Sequence, residues 1–311
     1  MKRFNSNSIV FALTAGCAFA MSTYAADTII VNDTWADGNR TSVGVDGTGY
    51  DTPWYAASTS TLSTAMPPLV GACTTSATWW TIFSGANSGN PLVTLQNAGD
   101  EIKATLVFTP YGVAANNSSL GFDIALAKSP TPKTTDGSQT GQQYSGYSVL
   151  MNMGTTLGST FNLKEWTLAG TGSLLGNASN WGANGTSGLN LATTGTSGNQ
   201  GFKQGESYTF VMDLVLDGSG YLDITASMTG GVSNGGLNGV GYESVSYTDT
   251  SPNGLSYDTF EVRPTASSQA AGTFDIQQFE VEQITLVPEP VTLALSGLGM
   301  LGLVLARRMR R

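Results

Sequence analysis

Paired carboxylates are the first chemistry this chain could carry. Glu280 and Glu282 share one face of an alternating segment, and a glycosidase needs two carboxyl groups about 5–9 Å apart across a cleft. Asp213 and Asp217 also face one way, although Asp217 begins a turn. Solvated strand faces would use both pairs equally well. Asp33, Asp37 and Asn39 crowd one short segment, while Asp46 and Asp51 flank Gly47 and Gly49. Hard cations want several oxygens at short range, but the spacing misses the EF-hand pattern, and Asx turns employ the same residues. Trp54, Tyr55 and Trp181, with Tyr144 and Tyr147, could stack on sugar rings if they stood exposed, and could equally be core. There is no histidine. That excludes Ser-His-Asp and Cys-His catalysis, His-ligated zinc and histidine proton switches.

The elements that must position these groups are strands. Apolar residues alternate over Ile102, Ala104, Leu106 and Phe108, then Phe122, Ile124 and Leu126, then Tyr147, Val149, Met151 and Met153. Period-two alternation bounded by turn residues predicts half-buried strands. A hairpin over 207–229 is clearest: Tyr208, Phe210, Met212, Leu214 and Leu216 run out, Asp217-Gly218-Ser219-Gly220 turns, and Leu222, Ile224, Ala226 and Met228 return. Further strands are predicted at 27–32, 79–83, 91–95, 242–248, 257–262 and 273–285. A dozen strands at this spacing predict a two-layer antiparallel sandwich. The Gly/Ser-rich stretches 36–64 and 169–201 read as long loops.

The two ends have a different chemistry. Lys2 and Arg3 precede an apolar run to Met21, and Thr23-Tyr24-Ala25-Ala26 supplies small residues, so 1–26 reads as a signal peptide cut after Ala25 or Ala26. Ala18-Phe19-Ala20 is an earlier alternative. Cys73 is then the only cysteine left, so no intrachain disulfide can form. At the other end Pro288 and Pro290 break any helix. The run 291–306 carries no charge, and Arg307, Arg308, Arg310 and Arg311 close the chain. Sixteen helical residues rise about 24 Å, short for a hydrocarbon core of about 30 Å, and arginine snorkelling would cover the deficit. The arginines would stay cytoplasmic and the bulk of the chain outside. Seven basic and 21 acidic residues within 27–287 leave that part at −14, a surface that repels nucleic acid and anionic lipid.

Pro288-Glu289-Pro290, the apolar run and the arginine cluster together resemble the PEP-CTERM sorting signal of exosortase substrates in Gram-negative bacteria. The resemblance implies that exosortase, an integral-membrane cysteine protease, cuts near the Pro-Glu-Pro motif. It further implies transient passage through the inner membrane, then the cell surface or extracellular matrix, often beside exopolysaccharide. A plain C-terminal anchor is the alternative.

The segments 33–40, 108–110, 144–147, the 207–229 hairpin, 257–263 and 272–275 resemble the concanavalin A-like jelly roll of exported proteins with this tail. In that fold the first and last strands pair, and calcium often sits where the termini meet, which implies Asp33, Asp37 and Asp275 as calcium ligands. Laminarinase-like members carry two glutamates bracketing an aspartate on one strand. Phe279-Glu280-Val281-Glu282-Gln283 lacks both the aspartate and the spacing. The expectation is therefore an all-β jelly-roll sandwich over 27–286, with a sorting segment over 287–311. It would be a non-catalytic surface or matrix protein contacting exopolysaccharide, with Trp54, Tyr55 and Trp181 as sugar contacts. A glycan-active hydrolase or lyase, or a purely structural or adhesive envelope protein, are the alternatives.

Overall fold

The computed structural model describes residues 23–288 except 46–49, 59–60, 65–66, 75–76, 116–121, 138–142, 167–172, 176–180, 182–188, 232–234 and 265–268. Ala26–Leu286 form one compact unit.

The strands are β1 (Thr23–Asp33), β2 (Gly44–Val45), β3 (Tyr50–Asp51), β4 (Trp54–Ala56), β5 (Leu62–Thr64), β6 (Leu69–Ala72), β7 (Trp79–Ile82), β8 (Val93–Thr94), β9 (Glu101–Tyr111), β10 (Phe122–Lys128), β11 (Ser145–Met153), β12 (Leu157–Glu165), β13 (Leu189–Thr194), β14 (Tyr208–Leu216), β15 (Leu222–Gly230), β16 (Tyr242–Asp249), β17 (Ser256–Tyr257), β18 (Thr259–Arg263) and β19 (Thr273–Pro288). Eight of them form one antiparallel sheet in the order β16-β15-β14-β9-β19-β6-β5, with β1 also pairing β19. Seven form a second, β13-β12-β11-β10-β18-β7-β4. The result is an all-β sandwich, and the first and last strands do pair. Among the described residues there is no α-helix and no helix long and apolar enough to cross a membrane.

Alternation decides which way each strand faces. Along β14 every second residue from Tyr208 to Leu216 is buried, and the hairpin pairs Phe210 with Met228 and Leu214 with Ile224 as its pattern requires. The inward residues of both sheets build one core. Its aromatic centre is Phe108, Phe122, Phe202, Tyr208 and Phe274, with Phe122 and Phe274 ring centroids 4.9 Å apart. A second centre joins Trp35, Trp54, Phe260 and Phe279, Trp54 meeting Phe279 edge-on at 5.2 Å. Gly71 on β6 is required by a close approach. A Cβ there would sit 2.2 Å from the Trp79 ring.

Two sequence expectations are corrected here. The stretch 36–64 carries β2, β3, β4 and β5, and 169–201 carries β13, so neither is a plain loop. Short strands at sheet margins have too few alternating residues to stand out from a Gly/Ser-rich background.

Candidate functional site

The outer face of the seven-stranded sheet carries two buried carboxyl residues, Asp123 and Glu261. On β10, Asp123, Ala125 and Ala127 point outward while Phe122, Ile124 and Leu126 enter the core. On the neighbouring β18, Glu261 lies opposite Ala125 and Arg263 opposite Asp123. Asp123 and Glu261 are thus diagonal neighbours, with Cα atoms about 7–8 Å apart. Across β11 the same row continues through Ser148 to Lys164 of β12. Trp80 and Tyr55 extend it on the other side, their rings 6.0 Å apart.

The middle of this face does not meet water. Tyr144, Trp166, Leu174, Leu175 and Trp181 cluster over Ala125, Ala127 and Leu150, and all of them are buried. Trp166 contacts Trp181 edge-on at 5.1 Å, and the Trp181 Nε1–H donates to the Leu174 carbonyl. The cover is fastened to the charges beneath it. The Leu175 N–H donates to Glu261 Oε1 at 3.3 Å, and the Leu175 carbonyl accepts from Arg263. Trp80 is roofed separately, its Nε1–H donating to the Lys133 carbonyl at 2.8 Å.

Burial raises the Asp123 carboxyl well above the usual carboxylate range, and the Arg263 charge opposes it. Burial also lowers Lys164, against the pull of Asp123. A glycosidase also sets a carboxyl of raised pKa near a second carboxyl group, across a cleft that admits substrate. Here both groups lie 1% exposed or less, beneath the chain's own side chains. No substrate reaches them in this arrangement. Sequence reading missed this pair. The signal was present as Thr259, Glu261 and Arg263, a polar file alternating with the apolar Phe260 and Val262.

Of the three expected sugar contacts, two are corrected. Trp54 is fully buried on the inner face, held in the core by Phe260 and Phe279. Trp181 is fully buried as part of the cover. Tyr55 is half-buried beside Trp80. Tyr147 faces the core, and its hydroxyl donates to Asp249 at 2.7 Å.

The calcium expectation is also corrected. The loop after β1 does come to β19, since Thr34 and Ala36 line a depression together with Asp275. The aspartates themselves do not converge. Asp33 is 1% exposed and turned inward, Oδ1 accepting the Trp35 N–H at 2.9 Å and Oδ2 the Thr52 N–H at 3.4 Å. Asp37 closes an Asx turn onto the Asn39 N–H. Among the described residues no three acidic, histidine or cysteine side chains group to hold a metal.

The sequence pairs of carboxylates are structural. Glu282 is ion-paired with Lys103, and Asp217 accepts the Ser219 and Tyr221 N–H groups of the hairpin turn. Cys73 is buried, and desolvation raises its thiol pKa. Ala25 and Ala26 fall within β1, and Pro288 ends β19. Glu289, Pro290, the run 291–306, Arg307, Arg308, Arg310 and Arg311 lie outside the described residues.

No known family profile matches the chain, and no curated protein does. Similar solved structures include the metal-free exoplasmic/lumenal domain of VIP36, at 11% identity and TM-score 0.44, covering 81% of this chain and 95% of that one. A Bauhinia forficata lectin in complex with GalNAc has 12% identity and TM-score 0.43, covering 84% and 98%. An endo-1,3-beta-glucanase from Streptomyces sioyaensis has 13% identity and TM-score 0.38, covering 83% and 96%.

Proposed function

We propose that this chain is an exported, non-catalytic surface or matrix protein that contacts polysaccharide without cleaving it. Its sandwich is proposed to be a concanavalin A-like jelly roll, and its C-terminus an exosortase sorting signal. The tail reading is supported by Pro288-Glu289-Pro290, the uncharged run 291–306 and the four terminal arginines, in that order. The observation that carries the non-catalytic reading is the cover over Glu261 and Asp123. Leu175 bonds to Glu261 on one side and to Arg263 on the other, and Asp123 beside them is also buried, so this diagonal carboxyl pair is closed to solvent.

That same pair is what favours the rival reading, a hydrolase acting on glycans. A cover that lifted would expose a raised acid beside a second carboxylate. The two readings separate on a glycan array run with the full chain and with Glu261→Gln, in calcium and in chelator. Glycan retention unchanged by Glu261→Gln supports contact away from the covered face. Turnover of a retained glycan by wild type, lost in Glu261→Gln, would establish the enzyme. No retention on any glycan would leave the adhesive or structural role.

A further inference from the structure

A shallow depression of about 430 Å³ opens where the loop after β1 meets the start of β19. Its lining includes Thr34, Ala36, Pro67, Tyr111, Asp275 and Gln277. It lies on the outer side of the eight-stranded sheet, so it is separate from the covered face described above. Alternation breaks beside it. Phe274 and Ile276 enter the core two residues apart, but the next inward residue, Phe279, follows after three. The register to β9 shifts between Ile276 and Gln278 to absorb the extra residue. Gln277 faces outward with Asp275 by ordinary alternation, and the bulge keeps Gln278 out of the core where the period would have turned it inward.

One accessible acceptor in this depression, Asp275, lacks a donor among the described residues. Gln277 belongs to the fold, its Nε2–H donating to Thr109 Oγ1 at 2.9 Å and its Oε1 buried out of reach of a ligand. The Asp275 carboxylate accepts no hydrogen bond among the described residues, and burial raises its pKa. A partly desolvated acceptor gains from an incoming donor. Beside them the Tyr111 ring stands 41% exposed. Ala36 and Pro67 complete an apolar rim.

We propose that this depression is a binding site for a neutral saccharide, whose hydroxyls donate to Asp275 while its C–H face lies on Tyr111. An aromatic platform with a few convergent polar groups is how shallow sites hold a ligand that is apolar on one face and hydroxylated at its edge. An acidic sugar is disfavoured twice, by the Asp275 carboxylate itself and by the −14 of the exported part. The inference rests on the carbohydrate-contacting reading above and adds to it the location and the sugar class.

The test is an array of neutral oligosaccharides and of uronate-containing ones of equal length, probed with the full chain. Wild type is expected on neutral sugars only. Tyr111→Ala should weaken that binding about tenfold, and Tyr111→Phe, which keeps the ring, should restore it. Asp275→Asn keeps an acceptor, so binding should fall only a few-fold and be indifferent to chelator. Matching melting curves keep loss of fold out of the comparison. Neutral-sugar binding untouched by Tyr111→Ala overturns this site and leaves the carbohydrate reading standing. No binding to any glycan overturns both. Binding lost in Asp275→Asn and in chelator alike overturns the saccharide and marks a cation site.

Discussion

Glu165→Gln should make the protein more stable above neutral pH and leave it unchanged in acid. Glu165 ends β12, opposite Tyr147 of β11. Only 4% of it is exposed. Burial, then the Asp249 charge, pushes its pKa from 4.5 to about 7, although the Asn253 N–H at 3.0 Å favours the ionised form. Asp249 ends β16 of the other sheet, so the two carboxyls meet between the layers. A pKa raised in the folded state means stability that is full below pH 4.5 and is lost as pH rises through about 7. At about 1.4 kcal/mol per pH unit, a rise from 4.5 to about 7 is worth about 3 kcal/mol. Glutamine keeps the acceptor for Asn253 and adds a donor toward Asp249, without the charge. At pH 8 the variant should therefore melt about 6–12 °C above wild type, and at pH 4 with it. Asp213 and Glu243, also raised to about 7 chiefly by burial, leave the variant a residual slope of the same sign. Melting curves from pH 4 to 9 read this directly. A variant that melts no higher than wild type at pH 8 would refute the placement of a buried, proton-holding carboxyl between the sheets.

Three further outcomes are expected. Gly71→Ala forces a Cβ into the buried Trp79 ring and should cost about 1–3 kcal/mol in a urea titration; an unchanged midpoint would mean that the ring has room to move. Melting temperatures in excess calcium and in chelator should coincide, because Asp33 is committed to the Trp35 and Thr52 N–H groups rather than to a site with Asp37 and Asp275; a calcium-dependent rise of several degrees would revive that trio. Intact mass of surface-extracted protein should lack 291–311, and alanine at Pro288, Glu289 and Pro290 should block the cut; a mass that includes Arg311 would leave a plain anchor.

The long strands were legible because their inward residues are large and strictly alternate. The 207–229 hairpin is the plainest instance, its turn marked by Asp217 and its two glycines. Pairing of the first and last strands was legible only through resemblance, since neither pattern names its partner. What was not legible is depth. Trp54 and Trp181 sit in polar, glycine-rich surroundings in sequence, yet one enters the core and the other closes a second hydrophobic cluster. Asp33 looked like a ligand because its neighbours are acidic, but its carboxylate turns inward to backbone N–H groups that only the fold brings near. Glu261 and Asp123 belong to strands far apart in sequence, so their diagonal relation follows from register alone. The bulge at Gln277 was readable, as a spacing of three between Ile276 and Phe279, and it marks the depression that sequence reading passed over.

The central claim is contact with polysaccharide without cleavage, and it is tested most directly by following chain ends. The full protein is incubated with a polysaccharide that it retains, and new reducing or unsaturated ends are counted over time against heat-denatured protein. With Glu261 bonded to Leu175 and both Glu261 and Asp123 buried, the count should stay at background while the polysaccharide remains bound. Ends that accumulate with native protein, and cease with Glu261→Gln, would contradict it.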